Sequence, residues 1–166
     1  MPLLSRLARR LGSRPWFARV GPVFVPLDRR LSKLTKGRFV AFGLRDLPSL
    51  LLITTGRRTG QSRANPLLYA TDGDAFVVVG SNWGRRNHPA WSGNLVANPR
   101  ATVLLAGDRI SVRARLAAGA ERERLLGMLR TIWPAYSSYE EWASGRDIRV
   151  FRLERTGPSR RNGRTS

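Results

Sequence analysis

The chain has no cysteine and a single histidine, His88. The first absence removes disulfides, thiolate nucleophiles and iron–sulfur clusters together, so packing must hold the fold, and a reducing cytoplasm is the compartment that fits. The second leaves too few ligands for an all-protein zinc site, which draws mostly on Cys and His, and no metal is expected. Long apolar runs are also missing: nothing approaches the ~20 residues that a transmembrane helix needs. Acidic residues are scarce, 11 Asp+Glu against 30 Lys+Arg, for a net charge of +19. That imbalance points to an anionic partner, whether nucleic acid, a phosphate-bearing ligand or an acidic membrane surface. The 166 residues suffice for one core and fall short of two domains with linkers.

The charge sits mainly at the ends. Residues 1–46 carry eleven basic and two acidic groups, residues 155–166 four basic and no acidic ones, and residues 47–154 fifteen basic and nine acidic. Three segments are therefore expected: a basic N-terminal helical segment over 1–46, a folded domain over 47–154 and a disordered basic tail over 155–166. In the first, Leu3, Leu4, Leu7 and Leu11 recur at helical spacing between Arg6, Arg9 and Arg10, the composition of an amphipathic helix able to lie on an anionic membrane surface. A second helix is expected over Leu27–Leu34. The arginines interrupt any secretory signal.

From Leu50 the pattern becomes one of strands: Leu50–Thr55, Asn65–Thr71, Ala75–Ser81, Thr102–Ala106, Arg109–Leu116 and Ile148–Leu153, with turn signals at Asp72-Gly73-Asp74 and Gly107-Asp108. Helices are expected after Pro89 and over residues 120–132. Six mostly hairpin-linked strands with helices outside suggest a mainly β, α+β fold, a closed or half-closed antiparallel barrel, with a twisted open sheet covered by helices as the runner-up.

Two stretches carry chemistry. TTGRRTGQSRANPL (54–67) opens a strand into a turn with Arg57, Arg58 and Arg63 and the glycines Gly56 and Gly60. Forked guanidiniums on a backbone that permits close approach suit phosphate or carboxylate oxygens, although loop arginines are commonly just solvated. It is no Walker loop, since Gly-Lys-Ser/Thr and a following helix are absent. The second stretch, SNWGRRNHPAWSGNL (81–95), ends a strand in small polar residues, passes a basic loop and starts a helix with Trp91 and Asn94 three apart. Such a mix suits a flat aromatic ligand with a charged tail.

These motifs, followed by WPAYSSYEEW (133–142), resemble the deazaflavin-dependent nitroreductase family, a branch of the flavin/deazaflavin oxidoreductases with a split β-barrel fold. The resemblance covers about Leu50 to Leu153. It implies coenzyme F420, an 8-hydroxy-5-deazaflavin with a phospholactate and oligoglutamate tail, and hydride transfer to quinones, nitro compounds or activated alkenes. By resemblance, Arg57, Arg58, Thr59, Gly60 and Arg63 form the anion cradle. Asn65 and Pro66 line the deazaflavin, and Ser81, Asn82, Trp91 and Asn94 take ring-side and tail positions. Tyr136, Tyr139 and Ser81 steady the acceptor. Asn82 departs from the lysine that many members carry, and Leu68 from a common aromatic.

Plainer readings stand beside these. His88, next to proline at a helix start, reads as a capping or packing residue rather than a general base, and no Gly-x-Ser-x-Gly elbow supports a hydrolase. Aromatics at helical spacing, Tyr136 and Tyr139 included, read first as core. A basic nucleic-acid-binding barrel is the rival function, and an FMN-binding or non-catalytic protein of the same fold is the third.

Overall fold

The computed structural model describes residues 47–143 and 145–157. The N-terminal helices and membrane-surface segment expected over 1–46, and the tail beyond Gly157, lie outside the described residues. Among the described residues seven strands and three α-helices follow one another: β1 (Ser49–Thr55), β2 (Ser62–Leu68), β3 (Ala70–Asp72), β4 (Ala75–Val79), α1 (Ala90–Ala97), β5 (Arg100–Leu105), β6 (Asp108–Leu116), α2 (Gly119–Ile132), α3 (Tyr136–Trp142) and β7 (Val150–Arg155). A single 3₁₀ turn, Asn82–Gly84, sits between β4 and α1. β7 runs through Arg155, one residue past the expected edge of the domain.

All strands join one antiparallel sheet in the order β2-β1-β5-β6-β7-β4-β3. Its two edge strands, β2 and β3, are separated in sequence by Tyr69 alone, so the sheet must curl until its edges approach, giving a half-barrel. The single strand expected over Asn65–Thr71 is thus two. The Tyr69 N–H donates to the Pro48 carbonyl at 3.1 Å, one step beyond the Ser49–Leu68 pair, and the chain then crosses to β4. The Tyr69 ring meets Phe76 edge-on at 5.5 Å. Pro66 is compatible with β2 because an edge strand pairs on one side only, so a missing N–H can face away from the ladder.

Alternation sorts the side chains into two cores. Leu50, Leu52, Phe76, Val78, Trp91, Leu95, Val103, Val112, Phe151 and Leu153 fill the concave side. Val77, Val79 and Val150 point the other way, onto Leu125, Leu126 and Leu129 of α2 and the aromatics that follow. β4 is therefore buried on both faces, which is why AFVVV shows no polar alternation. Each large apolar side chain so buried contributes roughly 1.5–3 kcal/mol. The β5–β6 hairpin turns through Ala106 (φ 52°) and Gly107 (φ 97°), positive at both central residues as a tight two-residue turn requires.

Candidate functional site

The cationic turn is a closed loop of its own. β1 and β2 end on the pair Thr55–Ser62. Between them the Gly56 N–H donates to the Gln61 carbonyl at 2.8 Å and the Gly60 N–H to the Gly56 carbonyl at 2.7 Å. The Thr59 hydroxyl accepts from the Gln61 N–H at 3.3 Å. The loop leaves Arg57, Arg58, Thr59 and Gly60 exposed, and Arg63, at the start of β2, is exposed beside them. Arg63 donates to the Gln61 side-chain oxygen at 3.0 Å. None of the ion pairs among the described residues involves Arg57, Arg58 or Arg63.

Helix α1 fixes this loop. The Arg57 N–H donates to Asn94 Oδ1 at 3.1 Å, and its Nη1 donates to the Ala90 carbonyl at 3.2 Å and to Asn94 Oδ1 at 3.4 Å. Asn94 is only 5 % exposed, and its Nδ2 donates in turn to the hydroxyl of Thr54 at the end of β1, 3.2 Å away. Gly93 is needed there: a Cβ on it would lie 2.6 Å from Arg57 Nη1. The sequence-derived residues Arg57 and Asn94 are thus brought together, whereas Trp91 turns into the concave core against Phe151, 5.8 Å between rings. Asn65 is buried opposite Leu52, and Pro66 is half-buried opposite Leu51.

Beyond β4 the chain passes Gly80 and the half-buried Ser81 into three successive residues of positive φ: Asn82 (48°), Trp83 (58°) and Gly84 (72°). For Trp83 this conformation costs on the order of 1 kcal/mol, so surrounding contacts must impose it. Gly84 has no room for a side chain, since a Cβ would fall 3.0 Å from Trp142 Cβ and 3.2 Å from the Tyr139 backbone. The Asn82 side-chain N–H donates to the Asn87 carbonyl at 2.7 Å, so Asn82 holds its own loop. The Trp83 ring lies 6.1 Å from that of Tyr139.

Tyr136 and Tyr139 adjoin this turn from α3, and both are buried, 7 % and 2 % exposed. Their rings meet edge-on at 6.0 Å, and Tyr139 also packs on Trp142 at 5.6 Å. The Trp133 ring N–H donates to the Tyr139 hydroxyl at 3.4 Å. Burial pushes the Tyr139 phenol up to about 12. Burial, with the neighbouring Tyr139, raises Tyr136 further still. Both remain protonated at neutral pH. Their burial matches the packing alternative, and contact with an acceptor requires the hydroxyls to be uncovered.

Sequence reasoning missed Arg146. Its guanidinium donates to the carbonyls of Gly80 (3.2 Å), Ser81 (2.9 Å) and Arg85 (2.9 Å), and Nη1 lies 3.0 Å from His88 Nδ1. Nothing local in SGRDI signals a residue that reaches back some sixty positions. His88 is held below its ordinary pKa by burial and then by Arg149 and Arg146, so its ring is neutral at pH 7 and Nδ1 can accept. Among the described residues its partner is Arg146, and no ion pair there brings a carboxylate to it. Among the described residues no three His, Cys, Asp or Glu side chains gather in a metal-binding group.

A curled antiparallel half-barrel with an exposed cationic loop hydrogen-bonded to α1 defines a split-barrel fold. The family model for F420H(2)-dependent quinone reductases matches residues 29–155, and the chain belongs to that family. It is 46% identical over 68 residues to the F420H(2)-dependent quinone reductase of Mycobacterium tuberculosis H37Rv, a stretch covering 41% of this chain and 46% of that protein. The chain thus spans about half the length of the curated relatives of that group. A second M. tuberculosis protein, named as a candidate quinone reductase of the same kind, is 35% identical over 96 residues, 58% of this chain and 81% of that one. Among solved structures, an F420-H2 dependent reductase superposes with a TM-score of 0.60 at 31% identity, covering 64% of this chain and 94% of that structure.

Proposed function

We propose that the protein is an F420H2-dependent oxidoreductase that reduces a quinone, with nitro compounds and activated alkenes as further acceptors of the same electronic type. One observation carries this reading: a loop with three exposed arginines, free of carboxylate partners among the described residues, is anchored to α1 through Asn94 in a chain of an F420H2-dependent family. The donor set fits an anionic coenzyme tail. Arg57, Arg58 and Arg63 supply forked donors, Thr59 a hydroxyl and Gly60 an open backbone, while Asn94 holds Arg57 at a fixed angle.

Bound reduced coenzyme F420 supplies a hydride to an electrophilic acceptor; the protein's own contribution is placement. Arg57, Arg58 and Arg63 would hold the coenzyme's tail, and Asn65 and Pro66 on β2 would border its ring. Ser81, half-buried at the exit of β4, offers a hydroxyl to charge developing on an acceptor oxygen. Tyr136 and Tyr139, protonated and adjacent to the Ser81 turn, form the second wall and can donate once uncovered. Holding the two reactants in contact is worth more here than acid–base chemistry.

Titration of the purified protein with oxidised coenzyme F420, FMN and FAD, followed by tryptophan fluorescence, tests the assignment. Tighter binding of FMN than of F420 overturns it; F420 binding with F420H2 oxidation by a soluble quinone analogue supports it. The leucine–arginine pattern of residues 1–46 supports docking on the anionic inner face of the cell membrane, where quinones dissolve. Equal pelleting with anionic liposomes of the full chain and of one starting near Gly37 would sink that part.

A further inference from the structure

The three left-handed residues after Ser81 are a strained feature held from outside. Two hydrogen bonds close the turn: the Gly84 N–H donates to the Ser81 carbonyl at 3.0 Å and the Arg85 N–H to the Asn82 carbonyl at 3.1 Å. Neither bond distinguishes this turn from one of the opposite hand. Beside the Asn82–Asn87 bond and the packing of Trp83 and Gly84 on α3, the turn is held by Arg146, whose planar fork takes carbonyls on both sides of the strained residues, Gly80 and Ser81 before them and Arg85 after. Only a guanidinium offers five donors in a plane, so one side chain can span both arms of the loop.

We infer that Arg146 is a positioning residue for the reaction, a clasp that fixes the Ser81 turn in its left-handed form, and that the neutral ring of His88 is the clasp's fourth partner and makes it sensitive to acid. This rests on the proposed role of Ser81. The other carbonyls are fixed acceptors, but His88 Nδ1 accepts only while unprotonated. Among the described residues the charged groups that act on His88 are cationic, Arg149, which reaches the Ser92 hydroxyl at 3.4 Å, and Arg146 itself, while Arg85 and Arg86 precede it on the same loop. Asp147, between Arg146 and Arg149, is exposed and enters none of the ion pairs among the described residues. A proton on His88 therefore meets two guanidiniums and no compensating carboxylate, and Nη1 of Arg146 loses its acceptor. The depressed folded-state pKa means that the unfolded chain takes up the proton first. The stabilisation is complete above the ordinary histidine pKa of about 6.5 and fades as pH falls from there through the lower folded value.

The test uses the full chain and two variants. Arg146→Lys keeps the charge and loses the fork; His88→Gln keeps an acceptor oxygen that does not titrate. Amide hydrogen exchange in the coenzyme-free protein reads the clasp directly: in Arg146→Lys, exchange at Gly84 and Arg85 should quicken about tenfold or more relative to the β4–β7 ladder. Turnover with a quinone analogue should fall by a similar factor with affinity for oxidised coenzyme F420 within a few-fold. The ratio of wild-type turnover at about pH 5.5 to that at about pH 7.5 should be low, and His88→Gln should raise it several-fold. Unchanged exchange at Gly84 and Arg85 in Arg146→Lys overturns the clasp, and an unchanged acid ratio in His88→Gln overturns the histidine's part in it. If the wild type does not bind coenzyme F420, the functional reading fails while the exchange result still decides whether Arg146 holds the turn.

Discussion

Arginines on two sides of the half-barrel are used in opposite ways. Where β3, β6 and β7 meet α2, five arginines have carboxylates: Asp72 accepts from Arg124 at 2.8 Å and Arg152 at 2.9 Å, Glu121 from Arg115, Glu154 from Arg115 and Arg152, and Glu140 from Arg122 and Arg130. At the turn after β1, Arg57 and Arg63 have amide and carbonyl partners only, and Arg58 enters none of the ion pairs among the described residues. A paired arginine has its charge answered and can only hold the fold together. An unpaired one, seated on neutral acceptors, keeps its charge for a ligand. On the proposed function, position in the charge network, more than residue type, separates scaffold from site.

The largest effect should come from stripping the unpaired side. Arg58→Ala with Arg63→Ala should weaken binding of oxidised coenzyme F420 by about 10- to 100-fold, the range for one or two partly exposed charge-assisted contacts, and move the melting temperature little. Raising salt should weaken wild-type binding more steeply than that of the double variant. Equal affinity in both would erase the distinction between the two sides.

On the paired side the expected loss is of stability. Asp72 joins β3 to α2 and β7 through two guanidiniums, whose hydrogen bonds hold its carboxyl well below the usual carboxylate range. Asp72→Ala removes both acceptors, costs about 1–3 kcal/mol and should lower the melting temperature by several degrees while leaving coenzyme affinity unchanged. The sign with pH is fixed: the depressed carboxyl stabilises the fold above the unfolded value near 3.9, and that stabilisation is lost as pH falls through the folded value. Thermal scans from neutral to acid pH should show a smaller loss in Asp72→Asn than in the wild type.

How far the sequence led differs between these regions for a physical reason. The arginine loop is local, with glycines and guanidiniums within ten residues, so it stands out in the sequence, whereas its reading as a coenzyme cradle and the place of Asn94 beside it came from the family resemblance. The strand break at Tyr69 was not legible, because the run Leu67-Leu68-Tyr69-Ala70 carries β2 into β3 without a glycine or proline to mark the crossing. Nor was the paired network, whose Asp72–Arg124 and Asp72–Arg152 contacts span 52 and 80 residues. Arg146 belongs with these, since its partners lie about sixty positions back. Tertiary acceptors leave no periodic trace in a sequence.

The tyrosines test the boundary between site and core. Tyr139 is held by Trp133 and packed among Tyr136, Trp83 and Trp142. Tyr136→Phe and Tyr139→Phe should each lower quinone turnover several-fold with coenzyme affinity within a few-fold if the hydroxyls reach an acceptor. A fall in melting temperature with unchanged activity per folded molecule would assign both to the core.

The smallest effect, and the most selective, belongs to Gly93→Ala. Its Cβ would fall 2.6 Å from Nη1 and 3.0 Å from Cζ of Arg57, a contact that something must relieve. The clashing atoms are the far end of an exposed, flexible side chain, so the guanidinium can swing off the Ala90 carbonyl and Asn94 at little cost, and added helix propensity at a helical position offsets part of it. The melting temperature should stay within a degree or two, about the scatter of a surface substitution. Coenzyme affinity should nevertheless fall by about two- to fivefold, because Arg57 would then have to be ordered on binding instead of beforehand. Wild-type affinity in Gly93→Ala would show that Arg57 is one more solvated loop arginine and that its seat on α1 contributes nothing to the site.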